Sequence, residues 1–92
     1  MSDWYVYLVR CRDKSLYAGI TTDLDRRVHE HNHASKTAAS YTRARRPVKL
    51  VYWESCASRS EALCREASLR QLNKNEKEAL VREHRLVVAS RT

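Results

Sequence analysis

The hydrophobic and polar positions at the start of the chain follow the pattern of two short β-strands joined by a turn. Residues 4–11 are rich in aromatic and β-branched side chains, and residues 16–20 form a second apolar segment. Residues 12–15 between them are polar, so the pattern predicts a β-hairpin. Gly19, the single glycine of the chain, predicts a tight bend or a close backbone approach at the end of the second strand.

A helical pattern begins directly after the hairpin. Thr22 as N-cap and Asp25 at the third helical position predict a helix start, and the pattern fades near His33. Spacings of three, four and seven residues predict that the following positions share one face of this helix: Leu24, Arg27, Val28 and His31.

The second half of the chain predicts one more strand and two more helices. Residues 48–54 have strand composition. The Ser58-x-x-Glu61 motif has the form of a capping box and predicts a helix that continues to about Leu72. A last helix is predicted over residues 75–89. Its apolar stripe consists of Leu80, Val81, His84, Val87 and Val88.

Residues 34–46 have no clear apolar period, so we expect an exposed basic loop that ends at Pro47. The complete pattern predicts an α+β fold, in which a small three-stranded antiparallel sheet is flanked by about three helices in the order β-β-α-β-α-α. With 92 residues and no interdomain linker, the chain is expected to form a single domain over residues 1–92.

Composition adds a candidate partner. The chain has 18 Lys and Arg residues against 11 Asp and Glu residues, which gives a formal net charge of +7. Arginine predominates, and its forked guanidinium suits contact with phosphate oxygens. A basic domain of this size favours nucleic acid as a partner, because neutralising phosphates releases counterions. The alternative is that the positive charge serves solubility alone.

Other sequence features bear on where the protein works. Cys11, Cys56 and Cys64 are an odd number without paired metal spacing, so we expect reduced thiols. No segment approaches the roughly 18 to 20 apolar residues of a membrane span. The N-terminal residues Met1–Trp4 show no basic segment followed by an apolar one, and we expect no signal peptide. These features predict a cytoplasmic protein without a membrane partner.

Two charged side chains lie on helix faces that are otherwise apolar. Arg27 shares its face with His31, and a guanidinium that leans inward requires an anion, either an acidic residue of this domain or a bound phosphate. Glu66 lies at helical spacing from Ala62, Leu69 and Asn73. A buried carboxylate is costly unless it is paired or bound to metal. Glu66 is therefore either the partner of an arginine or a ligand for a hard divalent cation.

Three tyrosines, Tyr5, Tyr7 and Tyr17, lie in the predicted hairpin, with Tyr5 and Tyr7 on the same strand face. Strand tyrosines are mostly packing residues with a wet hydroxyl. A phenol beside a metal and an arginine could instead have its pKa lowered from about 10 far enough to accept a proton from water.

A different metal site is also present as a motif. The segment from His29 to His33 contains His-Glu-x-x-His, with Glu30 in the second position, which is the pattern of zinc hydrolases. The motif falls in the last turn of a helix of about ten residues, and no convincing third ligand follows. We consider zinc binding the weaker alternative.

Taken in order along the chain, these residues resemble the GIY-YIG nuclease domain, and the resemblance extends from Trp4 to Leu80. The first triplet reads Tyr-Val-Tyr and the second Tyr-Ala-Gly, so the tyrosines and the glycine are kept although other letters differ. The chain is most similar to small stand-alone bacterial GIY-YIG proteins. The positions that match the catalytic residues of the family are Tyr7, Tyr17, Arg27, His31 and Glu66. Many members also have an asparagine late in the domain, and Asn73 is the candidate for it in this chain.

The resemblance implies hydrolysis of DNA phosphodiester bonds with one Mg²⁺ or Mn²⁺ ion. Glu66 would hold the ion, and Tyr7, helped by His31, would deprotonate the attacking water. Tyr17 would position water or phosphate, and Arg27 would stabilise charge on the phosphoryl oxygens. The loop arginines would follow the DNA backbone without reading bases: Arg43, Arg45 and Arg46.

The substrate is expected to be chosen by structure, as in branched or single-stranded DNA, or to be nicked without sequence preference. The protein would act as a monomer or a weak homodimer, with or without a further protein partner, and its pathway, DNA repair included, stays open. The alternative function is a nucleic-acid-binding module on the same fold that does not cut.

Overall fold

A computed structural model describes residues 4–90, which form three strands and four helices. In chain order they are β1 (Trp4–Arg10), β2 (Leu16–Thr21), α1 (Leu24–His33), α2 (Ser40–Arg43), β3 (Lys49–Cys56), α3 (Arg59–Gln71) and α4 (Lys74–Ser90). The predicted α+β fold and its order are confirmed, and the short helix α2 is added to them. Met1–Asp3 and residues 91–92 lie outside the described residues, and so do the ends of the domain predicted over residues 1–92.

The sheet is antiparallel in the order β2-β1-β3, so β1 is the central strand and the predicted hairpin forms one edge of the sheet. Pairing of β1 with β3 shifts after Leu8. Leu8 lies opposite Tyr52, whereas Val9 lies opposite Leu50, which leaves Val51 as the extra residue of a bulge. The shift lets both halves of β3 keep apolar side chains against the core.

Alternating residues of β1 serve two different layers. Val6 and Leu8 are fully buried and face a core that includes Ala62 and Leu69 of α3. Tyr7 and Val9 point to the other face of the sheet, where Leu24 and Val28 of α1 pack. Helices α1 and α3 therefore lie on opposite faces, and each can bring a charged side chain to the β2 edge.

The helix starts differ slightly from the prediction. The N-cap of α1 is Asp23, whose carboxylate accepts the Arg26 backbone N–H at 3.0 Å, so the assignment of Thr22 was one residue early. At α3 the predicted Ser58 cap is confirmed, since its hydroxyl accepts the Glu61 backbone N–H at 3.1 Å. The Glu61 carboxylate completes the motif by accepting the backbone N–H of Ala57 at 3.2 Å.

The segment 34–46 is largely exposed, as the sequence predicted, but it is not irregular throughout. It contains α2, and it buries Ala38 and Thr42. Its order comes from contacts with α1 rather than from an apolar repeat, so periodicity did not detect it.

The apolar stripe predicted for α4 is only partly packed. Val81 is buried and Leu80 packs against the core, but Val87 and Val88 are exposed to 50% and 38%. The last turns of α4 therefore present apolar surface to solvent.

The structure bears on two further predictions, those about the cysteines and about membrane spans. Cys11, Cys56 and Cys64 are all free thiols, as expected. Within residues 4–90, no helix combines the length and the apolar character that a membrane crossing needs.

Candidate active site

The site is organised around Tyr7, which lies opposite Gly19 in the β1–β2 pairing. A Cβ atom at position 19 would lie 2.5 Å from the Tyr7 Oη atom and 2.7 Å from Cζ, closer than atoms can pack. Glycine therefore lets the phenol lie across the edge strand β2. The close approach predicted at Gly19 is confirmed, whereas a left-handed bend is absent there, since Gly19 has no positive φ.

A chain of buried hydrogen bonds leads away from the Tyr7 hydroxyl. The Tyr7 Oη atom lies 2.7 Å from Nε2 of His31, and Nδ1 of the same ring lies 2.8 Å from Oγ1 of Thr42. All three side chains are essentially inaccessible to solvent. Strand β1, helix α1 and helix α2 thus each contribute one member of a connected polar chain.

Burial sets the protonation states along this chain. It raises the pKa of Tyr7 to about 12, while the positive charge of Arg27 opposes the rise. Burial also lowers the pKa of His31 to about 4, with further lowering by the charges of Arg27 and Arg46. At neutral pH the phenol is protonated and the imidazole is neutral. The lowered phenol pKa that we expected from a metal and an arginine is therefore not a property of the side chains alone.

Tyr17 lies beside the Tyr7–His31 pair. Its ring meets the His31 ring edge-on, with ring centroids 5.7 Å apart. Its other neighbour is Tyr41, stacked at a centroid distance of 5.5 Å. The half-buried Tyr17 phenol is thus placed at the rim of the site, between the buried imidazole and the exposed Tyr41 ring.

Arg27 combines a structural contact with a position near Tyr7. Its Nη1 atom lies 3.1 Å from the Glu30 carboxylate and donates to the Thr37 carbonyl oxygen at 2.7 Å. The salt bridge that we considered as an alternative is therefore present. The positive charge of Arg27 also acts on the Tyr7 phenol, because it opposes the rise of the Tyr7 pKa. A groove of about 400 Å³ opens beside Arg27, lined by Trp4, Ile20, Thr21, Thr22, Arg26, Arg27, Glu30 and Thr37.

Glu66 reaches the same region from α3. It lies between the buried residues Ala62 and Leu69, as the helical spacing predicted, and its side chain is 16% exposed. Its carboxylate lies 3.1 Å from the exposed guanidinium of Arg70. Its negative charge also contributes to the raised pKa of Tyr7, so the two groups share one electrostatic environment.

The site offers a metal ion one carboxylate, that of Glu66, which is an oxygen ligand of the kind that hard cations prefer. Within residues 4–90, no three His, Cys, Asp or Glu side chains converge as a metal cluster. An ion at Glu66 would have one carboxylate ligand and would complete its shell with water and phosphate, which is how Mg²⁺ commonly binds. Glu66, whose side chain is 16% exposed and whose ion-pair partner among the described residues is the exposed Arg70, fits that demand. The His29 and His33 rings lie 4.4 Å apart but lack a third ligand within the described range, so the zinc interpretation gains no support.

The three arginines predicted to follow DNA make contacts inside the protein. Arg46 donates to the His31 carbonyl oxygen at 2.6 Å and to the Ala34 carbonyl, at the C-terminal end of α1. Arg45 pairs with Asp13 at 3.0 Å. Arg43 donates to the Ser35 carbonyl oxygen, which holds the segment together locally. Contacts of these side chains with phosphate remain a prediction.

Asn73 does not extend the Glu66 face, because α3 ends at Gln71. Its side-chain oxygen accepts the Glu76 backbone N–H at 2.8 Å, and its own N–H donates to the Glu76 carboxylate at 2.9 Å. The residue therefore caps the start of α4 and does not continue the α3 face that carries Glu66. The sequence held this signal, since Asn73-x-x-Glu76 is itself a capping pattern.

The fold and site define a class: small α+β domains in which a tyrosine of the central strand meets a helical histidine and arginine. Residues 3–79 match the family model described as the GIY-YIG catalytic domain. The chain belongs to this nuclease-type family, as its motifs indicated, and within the family it is similar to the small UPF0213 proteins.

Relatives and solved structures agree with this assignment. A UPF0213 protein of Desulfotalea psychrophila is 53% identical over 79 residues, covering 86% of this chain and 71% of that protein. A UPF0213 protein of Haloquadratum walsbyi is 48% identical over 84 residues, covering 90% and 92%. The solution structure of a UPF0213 protein from Bacillus halodurans is 44% identical with a TM-score of 0.53, covering 85% of this chain and 81% of that one.

Proposed function

We propose that this protein is an endonuclease that hydrolyses DNA phosphodiester bonds with a divalent metal ion, Mg²⁺ or Mn²⁺. The observation that carries the proposal is the 2.7 Å contact between the Tyr7 hydroxyl and Nε2 of a neutral, buried His31. A buried phenol needs an acceptor in any protein, but a neutral imidazole is an acceptor that can also take up a proton, and a nuclease needs a route for the proton of its attacking water.

The pair offers that route. As water attacks phosphorus, the Tyr7 oxygen takes one proton from the water while the hydroxyl proton of Tyr7 passes to Nε2 of His31. The low pKa of His31 opposes this transfer in the resting protein. A bound phosphodiester brings negative charge next to Arg27 and His31, which favours the imidazolium and makes proton transfer depend on substrate.

Arg27 and Tyr17 would act on the phosphate itself. The contacts of Arg27 with Glu30 and Thr37 use Nη1. The remaining guanidinium donors can meet phosphoryl oxygens, where charge accumulates in the transition state. Tyr17, at the rim, would orient water or a phosphate oxygen. The groove beside Arg27 would let a DNA strand approach this guanidinium.

Glu66 is the residue that would hold the metal ion. When bound, the ion supplies Lewis acidity that polarises the scissile phosphate and stabilises the leaving oxygen. The largely buried carboxylate suits a hard cation, whereas its present partner Arg70 is 58% exposed, and ion pairs with an exposed partner are weak.

A module that binds DNA without cutting is the second candidate. Its specific support is the raised pKa of Tyr7, about 12, and the pairing of both Arg27 and Glu66 with side chains of the same protein. The net charge of +7 would serve either function. For the substrate we propose branched or single-stranded DNA, recognised by its shape and not by its sequence.

The deciding experiment compares Glu66→Gln with Arg70→Gln. Each variant breaks the same ion pair, but only the first removes the carboxylate. We expect purified wild type to nick labelled branched or single-stranded DNA with Mg²⁺ or Mn²⁺, Arg70→Gln to retain most of that rate, and Glu66→Gln to lose it by about 100-fold or more. Binding, followed by fluorescence anisotropy, should change little.

Two results would contradict the proposal. If wild type binds DNA but no protein cuts with either metal, the binding module is the correct function. If both variants lose activity equally, Glu66 serves only as the partner of Arg70. Purification of all proteins in parallel controls for contaminating nuclease, since a contaminant would cut with every variant.

A further inference from the structure

Thr42 is a buried residue of the short helix α2 that sequence patterns did not single out, and its hydroxyl has two partners. It donates its one hydrogen to the Ala39 carbonyl oxygen at 3.0 Å. The same oxygen lies 2.8 Å from Nδ1 of His31. Because a carbonyl can only accept, the Thr42 hydrogen is committed to Ala39, and toward His31 the hydroxyl can act only as an acceptor.

This commitment determines where the imidazole carries its proton. Nδ1 must be the N–H that donates to Thr42, so Nε2 is left bare and accepts the hydroxyl hydrogen of Tyr7. We propose that Thr42 is a positioning residue that holds His31 in the Nδ1–H tautomer, the form able to take a proton from Tyr7. Its catalytic consequence rests on the proposed nuclease function; the tautomer itself does not.

The opposite tautomer would take the acceptor away from one hydrogen, that of the Tyr7 hydroxyl. With the proton on Nε2, Thr42 would have to turn its hydrogen from Ala39 to Nδ1, and the Tyr7 hydroxyl would need another acceptor. The charges that act on His31 are those of Arg27, Glu30 and Arg46. The two guanidinium groups donate and do not accept, and the Glu30 carboxylate is already paired with Arg27 at 3.1 Å. In the Nδ1–H form each of the three hydrogens has an acceptor, which a buried polar chain requires.

The surrounding structure keeps Thr42 in place. Its side chain is fully buried, and Arg46 ties the following residues to the end of α1 through the His31 carbonyl oxygen at 2.6 Å. The sequence suggested that the segment 34–46 is a DNA-contacting loop. The structure adds a second role for this segment, because it brings the Thr42 hydroxyl to Nδ1 of His31, the ring nitrogen that faces away from Tyr7.

The test reads the tautomer directly by long-range ¹H–¹⁵N correlation spectra of the histidine rings, with His31→Gln used for assignment. Wild type at pH 7 should give a protonated-type shift for Nδ1 and an unprotonated-type shift for Nε2 of His31. Thr42→Val keeps the side-chain shape without the acceptor and should mix or reverse the two shifts. Thr42→Ser restores the hydroxyl and should restore the wild-type pattern, whether or not the valine variant folds.

The rate of nicking is the second readout. Thr42→Val should lower kcat by about 10- to 100-fold with KM unchanged, since positioned proton transfer contributes on the order of 10²-fold or more, and Thr42→Ser should recover most of it. A wild-type spectrum with the proton on Nε2, or an unchanged spectrum in Thr42→Val, overturns the proposal. If wild type shows the Nδ1–H form but never cuts DNA, the role of Thr42 in fixing the tautomer stands and the nuclease proposal fails.

Discussion

Individual side chains in this protein are useful because burial changes their protonation. Tyr7 and His31 would both be ordinary groups at the surface, with pKa values near 10 and 6.5. Inside the sheet–helix layer the pKa of the phenol rises to about 12 and that of the imidazole falls to about 4. The result is a protonated phenol beside a neutral imidazole acceptor, joined over 2.7 Å.

The lowered pKa of His31 predicts a dependence of stability on pH. The unfolded chain binds a proton at His31 below about pH 6.5, whereas the folded protein resists it down to about pH 4. Between these values the unfolded state holds more protons, so stability rises with pH and is lost on acidification. From pH 7 to pH 5 we expect His31 to contribute a loss on the order of 1–2 kcal/mol.

Urea unfolding at the two pH values measures this loss. His31→Gln removes the titrating group, so its stability should fall less than that of wild type over the same interval. His84, whose pKa is also lowered by burial, remains in both proteins and cancels in the comparison. An equal fall in the two proteins would show that His31 does not carry a depressed pKa.

At the scale of single residues, the sequence indicated most of the candidate site residues but not their protonation states. Tyr7, Arg27 and Glu66 were identifiable because ordered motifs and helical spacing place them without any knowledge of packing. Thr42 was not, since its partner His31 is eleven residues away and the contact depends on how the segment between them folds. The direction of the Tyr7 pKa was equally hidden, because it depends on burial.

The elements that have signals in their own sequence were predicted. Helix α2, which is stabilised by contacts with other parts of the fold, was not. The three strands follow composition, and α3 begins at the expected Ser58 cap. Helix α2 has four residues and no side-chain cap of its own. It is ordered by contacts with α1, which no periodic pattern in residues 34–46 records. Arg46 is the most direct of these contacts, because it binds carbonyl groups at the end of α1.

Replacing Arg46 therefore tests how the segment is held. In Arg46→Lys the charge is kept, but the planar fork that spans several carbonyls is lost. We expect a loss of about 1–2 kcal/mol in unfolding free energy and faster hydrogen exchange at the amides of 34–43. Arg26→Lys, an exposed change on α1, is the matched control. Unchanged exchange in Arg46→Lys would mean that the segment is ordered by other contacts.

The whole molecule combines a net charge of +7 with a site at the β2 edge of the sheet. Arg43 and Arg45 lie in the segment beside this edge, whereas α4 packs against β3 at the opposite edge. If the β2 side carries the DNA, charges there should contribute to binding and charges on α4 should not.

Salt dependence distinguishes the two sides. The logarithm of the DNA association constant falls linearly with the logarithm of the salt concentration. The magnitude of this slope decreases by about 0.9 for each phosphate contact removed from duplex DNA. Arg43→Gln and Arg45→Gln should each reduce the slope by about that amount, and the control Arg82→Gln on α4 should leave it unchanged. Equal slopes in all four proteins would assign the segment to internal structure only and remove it from the DNA path.

Removal of the Tyr7 hydroxyl oxygen is the most direct test of the proposed active site. Tyr7→Phe keeps the ring against Gly19 and removes only the hydroxyl that contacts His31. In single-turnover cleavage of labelled DNA with Mn²⁺, we expect the rate to fall by about 100-fold or more, while anisotropy reports unchanged DNA affinity. Cleavage by Tyr7→Phe at the wild-type rate would contradict a proton route through Tyr7.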